Sequence, residues 1–268
     1  MLHRNPQMES VNQPQLLAAH LLFAQLPNVS AARLGAQLRQ RFAQVDHAAD
    51  SLVFFFPDLA ATYADGRQAP VSLMVTEAHA IPDNQPLAAA CAQSWHWPQA
   101  EAAVAACGYQ VVVTDFMARA LELPQRLGFF QRALDAVLAE LQPQAIYFLS
   151  SQKLVEPRAY QARGQAVLDG LMNVRFFNVA GSASEEMFMD TLGLHALGLP
   201  DFQVRFRELD PGRVAGALTG YAYYLLEHGP VVEDGNTIQG LTPQQKWTCY
   251  YADAAVDPAR EVIDLETD

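Results

Sequence analysis

The chain has 268 residues, of which 51% are hydrophobic and 17% charged, and its net charge is -12 at pH 7. This composition excludes a disordered chain, and the length allows one large domain or two of ordinary size. The acidic excess argues against nucleic acid as a partner, because nucleic-acid-binding surfaces need a basic stripe. We expect a globular protein whose partner is another protein, a basic one if charge attracts it.

Cysteine usage and hydropathy predict the compartment. The cysteines, Cys91, Cys107 and Cys249, are odd in number and none forms a Cys-x-x-Cys pair. They are therefore predicted to be buried thiols in a reducing compartment. A signal peptide and an apolar run long enough to span a bilayer are both missing from the sequence. These patterns predict a protein that does not associate with membranes and is cytoplasmic, with export without a conventional signal as the alternative.

The first part of the chain predicts a lead-in followed by an α+β half. Residues 1–14 are polar and are predicted to be flexible. The half from 15 to 155 is predicted to follow the order β-α-β-β-α-β-α-β. Its elements are a strand at 18–27, a helix from 31, strands at 51–58 and 69–80, an Ala-rich helical region broken near Pro98, a strand at 109–118, a helix at 123–141 and a strand at 145–151.

The second half, 156–268, is also predicted to be α+β. Two strands surround "GSAS", and "FQVRFREL" has the period-two alternation of a strand with one wet face. Asp210 and Pro211 then begin a helix that ends at Gly229, and Asp234 with Gly235 predicts a hairpin. The acidic tail alternates Val262, Ile263 and Leu265 like an edge strand. The predicted fold is α+β: two ferredoxin-like-style halves, with a mostly antiparallel or mixed sheet packed against helices, in one sheet or two.

The segment "MDTLGLHALGLPDFQ", residues 189–203, allows two interpretations. In the structural one, Asp190 or Thr191 caps a short helix, Gly198 takes the left-handed position after it with a Leu194–Leu199 contact, His195 lies on an exposed turn, and Asp201 caps the next strand. In the functional one, Asp190, His195 and Asp201 converge as an acid/base or metal cluster, Thr191 joins a binding site, and Arg205 anchors an anion. The caps explain the residue pattern without chemistry, so the structural interpretation is favoured.

Motifs that would identify a reaction are missing from the sequence. It has neither the glycine spacing of a phosphate-binding loop or dinucleotide site nor a His-Glu-x-x-His zinc pattern. Ser150 precedes Lys153 as a Ser-x-x-Lys, but these residues leave a predicted strand, whereas the motif requires a helical turn. Ser182 lacks the strand-turn-helix order of a nucleophile elbow. We therefore predict no catalytic residue, no metal ligand and no cofactor.

Three tryptophans are candidates for a protein interface, where this residue type is enriched. Trp95 and Trp97 stand on both sides of His96 just before Pro98, and Trp247 lies in the C-terminal region. Adjacent residues of a helix cannot all face one core, so one of the first two should be exposed. Packing at a helix break is the alternative explanation for that pair.

The segment 189–203, the helix with Pro211, the hairpin "EDGNTIQG" and Trp247 with Tyr250 and Tyr251 resemble the bacterial domain-of-unknown-function family numbered 4261. The similarity is strongest over residues 176–265 and implies no established activity. Our hypothesis is a non-catalytic cytoplasmic bacterial protein that binds another protein, as an immunity or accessory factor of a toxin or secretion system. The alternative is a small-molecule-binding domain or hydrolase-like enzyme with a pocket near residues 190–205.

Overall fold

A computed structural model describes residues 13–62, 66–83, 85–179 and 186–267. Most of the predicted lead-in, the "GSAS" turn and Ser182 lie outside these residues. The chain divides into two compact units. One unit contains residues 16–171, and the other contains residues 172–267 together with 13–15. The division therefore follows Leu171, later than residue 156, because the segment after Val155 still packs within the first unit: the Ser151 hydroxyl donates to the Gly170 carbonyl.

The first unit contains a seven-stranded antiparallel sheet. Its strands are β1 (Ala18–Phe23), β2 (Val53–Thr62), β3 (Gln68–Val75), β4 (His79–Ala80), β5 (Tyr109–Phe116), β6 (Ala145–Phe148) and β7 (Lys153–Val155). They lie in the order β2-β3-β5-β1-β6-β7, and β4 pairs with β5. The predicted adjacency of the second and third strands is confirmed, because β2 pairs with β3.

Five helices accompany this sheet: α1 (Ala31–Arg39), α2 (Gln85–Ala92), α3 (Ala100–Ala105), α4 (Leu123–Leu141) and α5 (Pro157–Gln161). The predicted order β-α-β-β-α-β-α-β is confirmed in outline, with the Ala-rich region present as α2 and α3 on the two sides of Pro98. It differs in two places, because the predicted strand at 69–80 is divided into β3 and β4 and the unpredicted β7 follows β6. The ring of Phe56 lies 4.9 Å from that of Phe129, so α4 covers the sheet face that carries Phe54 and Phe56. Both of these β2 side chains are essentially inaccessible to solvent.

The second unit contains a six-stranded mixed sheet in the order β11-β12-β13-β10-β9-β8. Its strands are β8 (Asn173–Asn178), β9 (Met187–Leu192), β10 (Asp201–Phe206), β11 (Thr237–Gln239), β12 (Lys246–Asp253) and β13 (Glu261–Glu266). Strand β13 lies between β12 and β10 and runs parallel to β10. The expectation that this tail is an edge strand is therefore wrong, because Val262, Ile263 and Leu265 are all buried.

The long helix of this unit, α6 (Pro211–His228), packs on one face of the sheet. The Asp210 side chain accepts a hydrogen bond from the Arg213 amide, and Gly229 follows the last turn, so the predicted caps are confirmed. Rings of the helix and the sheet meet, with Tyr221 5.7 Å from Phe202 and 6.2 Å from Trp247. The face opposite α6 is therefore the one available to the polar side chains described below.

The predicted hairpin has a different position from the one expected. Asp234 and Gly235 do form a turn, with Gly235 at a φ of 78°, but the paired strands β11 and β12 begin only at Thr237 and are joined by residues 240–245. The α+β fold class with antiparallel and mixed sheets is confirmed. In the part of the chain that the structure describes, helices long and apolar enough to cross a membrane are absent.

Candidate functional site

The predicted site residues lie where two neighbouring strands of the second unit are joined. Asp190 and Thr191 are on β9, Asp201 begins β10, and His195 lies in the 3₁₀ turn Leu194–Leu197 that joins them. Their side chains are buried, with exposed fractions of 1% for Asp190, 0% for Thr191 and Asp201, and 6% for His195. The structure thus brings these four residues together, although only the functional interpretation predicted convergence.

The turn is capped by a different residue from the one predicted. Asp190 and Thr191 are strand residues and do not cap it. The carboxylate of Asp201 accepts hydrogen bonds from the amides of Gly193, Leu194 and His195 at 3.4, 3.1 and 3.3 Å. The Asp201 carboxylate therefore satisfies the free amides of the turn from its far side.

The end of the turn matches the sequence prediction. Gly198 has a φ of 83° and its amide donates to the His195 carbonyl, while the Leu199 amide donates to the Leu194 carbonyl. These two bonds define a Schellman ending with glycine in the left-handed position. The predicted Gly198 cap is confirmed.

His195 contacts Asp201 directly, and its predicted position on an exposed turn is wrong. Its Nδ1 atom lies 2.9 Å from the Asp201 carboxylate, and the same carboxylate accepts the Thr191 hydroxyl at 2.9 Å. The Thr191 oxygen in turn accepts the Phe202 amide at 2.8 Å. The side chains of the turn and of both strands thus form one hydrogen-bonded unit.

Two arginines that the sequence analysis did not single out complete the cluster. Arg175 on β8 forms a bidentate pair with Asp190, at 2.9 and 2.5 Å. Arg260 bridges the two acids, with its Nη2 2.7 Å from Asp190 and its Nε 3.1 Å from Asp201. We call the set Arg175, Asp190, Thr191, His195, Asp201 and Arg260 the buried ionic network. Its two guanidinium and two carboxylate charges cancel.

Arg260 is held by the loop that precedes β13. Besides the two acids, it donates to the carbonyls of Val256, Pro258 and Thr191, so all five of its N–H groups have acceptors. Arg175 likewise donates to the Asp257 carbonyl in this loop. The two arginines of the network therefore hold residues 256–258 by hydrogen bonds over the sheet face opposite α6.

The two carboxyl groups have opposite pKa shifts. Burial raises the pKa of Asp190, and its bonds to Arg175 and Arg260 only partly oppose that rise. Burial acts on Asp201 in the same direction, but His195, Arg260 and Thr191 stabilise its carboxylate more strongly, so its pKa is lowered. The Asp201 carboxylate is therefore the more strongly stabilised of the two charges.

The hydrogen bonds of this arrangement connect the strands and the turn, and they occupy the oxygens of both carboxylates. A general base needs a lone pair within hydrogen-bond reach of its substrate. Every carboxylate oxygen here already accepts at least one short hydrogen bond from the protein, and the exposed fractions of Asp190 and Asp201 are 1% and 0%. The Asp201–His195 contact resembles the orienting pair of hydrolase triads, yet the neighbouring Thr191 hydroxyl is engaged on both sides.

Arg205, the fifth predicted binding residue, lies apart from the network. It follows Asp201 on β10 but is exposed, and its guanidinium lies 5.6 Å from the centre of the Phe188 ring. With Glu186, Arg207, Gln245 and Thr267 it lines an open cleft of about 460 Å³. Any anion held by Arg205 would therefore bind outside the buried ionic network.

The three predicted interface tryptophans differ in exposure. Trp95 is 59% exposed and Trp97 is half-buried against a cluster that contains Leu87 and Val104. Trp247 is 0% exposed beneath α6, so it cannot meet a partner at the surface, and its assignment to an interface is wrong. Within the described ranges, groups of three or more His, Cys, Asp or Glu side chains placed to hold a metal ion are absent.

Comparison with known proteins identifies the segment that carries most of this network. Residues 190–266 match a family described as a domain of unknown function (DUF4261). The match begins at Asp190 and includes Thr191, His195, Asp201 and Arg260, while Arg175 precedes it. No curated protein and no solved structure matches the chain.

Proposed function

From the premise that residues 190–266 belong to the DUF4261 family, whose function is unknown, we propose that the protein acts by binding another protein and not by catalysis. The observation that carries this proposal is the closure of the buried ionic network. Its acids and imidazole are the polar groups that the sequence marked for chemistry, and they are all bonded to one another and buried. Function is therefore assigned to the surface.

Two surface features favour a basic protein as the partner. The chain carries a net charge of -12, which attracts a basic partner and accelerates its association at low salt. Trp95 is 59% exposed, and tryptophan is the residue type most enriched at energetically important interface positions. The proposed role is that of an immunity or accessory factor in a bacterial toxin or secretion system, located in the cytoplasm.

Capture of the partner by the tagged full chain tests this proposal. We expect a basic protein to be retained at about 50 mM salt and released at about 500 mM, because screening weakens charge attraction. Trp95→Ala should reduce retention, while Tyr224→Ala, at an aromatic position on α6 that is 49% exposed, should not. Retention that is insensitive to salt and to Trp95→Ala would contradict the proposal. Growth rescue by co-expression with the captured protein would distinguish an immunity factor from other accessory proteins.

The cleft beside Arg205 supports a second candidate function, the binding of a small anion. Arg205 and Arg207 both line this cleft, and Arg207 lies 3.7 Å from Glu186, which it could exchange for a bound anion. Thermal-shift measurements with inorganic phosphate test this candidate. We expect a rise in melting temperature that Arg205→Gln removes and Arg213→Gln, at an arginine outside this cleft, does not. An equal response of the wild type and Arg205→Gln would reject it.

A further inference from the structure

One face of the seven-stranded sheet in the unit of residues 16–171 is covered over only part of its area. Helices α2 and α3 cover this face near β6 and β7, where Leu87 and Val104 pack against Leu22 and Tyr147. Helix α4 packs on the opposite face through Phe129. The part of the first face that lies over β2, β3 and β5 therefore has no helix packed upon it in the contacts described above.

This uncovered part carries two apolar rows that follow from the strand register. In one row Phe55 on β2 lies opposite Ser72 on β3, and Ser72 lies opposite Phe116 on β5. The second row runs across four strands, and its neighbours are paired in the order Val53, Met74, Thr114 and Ala18 on β1. Leu16 and Leu149 extend the rows, because Leu16 precedes Ala18 by two residues and the Leu149 amide donates to the Ala18 carbonyl. We call these two rows the open sheet face.

The open sheet face concentrates exposed apolar side chains. Five large hydrophobic residues in it are exposed to solvent: Leu16 at 39%, Phe55 at 39%, Met74 at 38%, Phe116 at 44% and Leu149 at 50%. At about 200 Å² for a fully exposed residue of this size, they present roughly 400 Å² of apolar surface. The largest apolar patch of a typical monomer is of this size, about 300–600 Å², and is often functional.

The polar groups within these rows do not interrupt the apolar surface. Ser72 is 0% exposed, and its hydroxyl donates to the Phe116 carbonyl at 3.2 Å. Thr114 is 6% exposed between the longer side chains of its row. The two rows contain no Asp, Glu, Lys or Arg, and the exposed Asp46, which pairs with Phe55, borders the first row at its edge.

We propose that the open sheet face binds the same face of a second copy of this chain. Two molecules of charge -12 repel each other, and this repulsion is smallest where they meet through rows without formal charge. Sheet faces with apolar rows pack on one another at about 10 Å separation, and a two-fold axis places identical rows in contact. A basic partner would gain no charge complementarity on the open sheet face. This face is therefore distinct from the surface around Trp95 that we assign to the basic partner.

The apolar area that two copies would bury predicts a weak association. Two copies would bury about 800 Å² from these side chains together with a polar rim, which is the size of weak, reversible complexes. We therefore expect a monomer–dimer equilibrium with a dissociation constant of roughly 10–100 µM. Higher salt should tighten it by screening the mutual repulsion, which is opposite to the effect expected for the basic partner.

Sedimentation velocity of the full chain from about 2 to 200 µM, at low and high salt, tests the proposal. Phe116→Asp and Met74→Asp should each weaken dimerisation at least tenfold, since each places a charge at the contact of two copies. The matched control is Tyr224→Asp, at a site 49% exposed on α6, which should dimerise like the wild type. Far-UV circular dichroism and melting curves establish that each variant is folded.

Several outcomes would overturn the inference. They are a wild type that stays monomeric at 200 µM, a dimer that salt weakens, or a folded pair of Phe116→Asp and Met74→Asp variants that dimerise unchanged. Loss of retention of the captured protein in Phe116→Asp, with dimerisation intact, would show that the partner occupies this face. Failure of the dimer leaves the partner proposal standing, because capture through Trp95 is measured separately.

Discussion

Arg260 links the two acids of the buried ionic network through a single guanidinium group. It lies 2.7 Å from Asp190 and 3.1 Å from Asp201, and its exposed fraction is 2%. A buried ion pair gives little net stability relative to an apolar replacement of the whole pair, but the loss of one partner leaves the other charge buried and uncompensated. Removal of Arg260 alone should therefore destabilise the fold more than apolar replacement of the whole ion pair would.

We predict that Arg260→Met lowers the free energy of unfolding by about 3–5 kcal/mol, because both carboxylates lose a charged donor. Urea denaturation followed by circular dichroism measures the change. Arg205→Gln, at an exposed arginine on the neighbouring strand β10, is the control and should change stability by less than about 0.5 kcal/mol. Equal effects of the two substitutions would refute the structural role given to the network.

The pKa of Asp201 gives a second prediction at this scale. A carboxyl group whose folded pKa lies below the unfolded value of 3.8 stabilises the fold above that pH, and the stabilisation is lost as the pH falls through the folded pKa. Asp201→Asn should therefore cost about 3 kcal/mol at neutral pH, and this difference should shrink as the pH falls below 3.8.

Urea denaturation of the wild type and Asp201→Asn at several values between pH 7 and pH 3 measures this linkage. The raised pKa of Asp190 changes the pH dependence of stability in the opposite direction. Because Asp190 is present in both proteins, the difference between them reports the contribution of Asp201. A difference between the two proteins that stays constant or grows on acidification would contradict the assigned direction.

At the scale of single elements, the turn between β9 and β10 depends on its glycine. Gly198 has a φ of 83°, which side-chain-bearing residues adopt at a cost of about 1–2 kcal/mol. Gly198→Ala should destabilise the protein by that amount in urea denaturation. Gly216→Ala on α6 is the opposite control: a Cβ there meets no atom within 4 Å, so it should stabilise by about 0.5–1 kcal/mol.

Elements bounded by local signals could be predicted from the sequence. The helix at 123–141, the caps Asp210 and Gly229 of α6, and the Schellman ending at Gly198 all depend on neighbours within a few positions. The six elements predicted between residue 13 and Gly108 also appear in order, with the strand at 69–80 divided into β3 and β4, because hydrophobic periodicity reports which face of each element is buried.

The composition of the site could not be predicted in the same way. Arg175 and Arg260 lie 15 and 70 residues from the Asp190 they bind, and strand pairing alone brings them together. The central position of β13 likewise depends on its parallel pairing with β10, which no local pattern encodes. A charged residue inside an apolar strand, as Arg175 is in "NVRFFN", was the available signal, since such a residue needs a buried partner.

At the scale of the whole molecule, two histidines of the first unit connect stability with pH. Burial lowers the pKa of His20, whose Nδ1 lies 2.9 Å from the Gln110 side chain, although this bond opposes the shift. Burial also lowers the pKa of His96, assisted by the charge of Lys153 and opposed by the Leu154 carbonyl and Asp169. His79 adds a further lowering contribution at His20. His20 is half-buried and His96 is exposed, so the fold disfavours the charged imidazole mainly at His20.

A histidine whose folded pKa lies below the unfolded value of 6.5 takes up its proton more readily after unfolding. Protonation therefore favours the unfolded chain, and stability should be level above pH 6.5 and fall as the pH drops from 6.5 towards 5. The slope is at most about 1.4 kcal/mol per pH unit for the half-buried His20 and smaller for the exposed His96, because solvent screens its interactions. Thermal denaturation between pH 7.5 and pH 5 measures the slope. The double variant His20→Gln with His96→Gln should flatten it, whereas His228→Gln, at an exposed site on α6, should keep the wild-type slope. If the double variant loses stability on acidification as steeply as the wild type, the acid sensitivity originates elsewhere, and these two imidazoles do not control it.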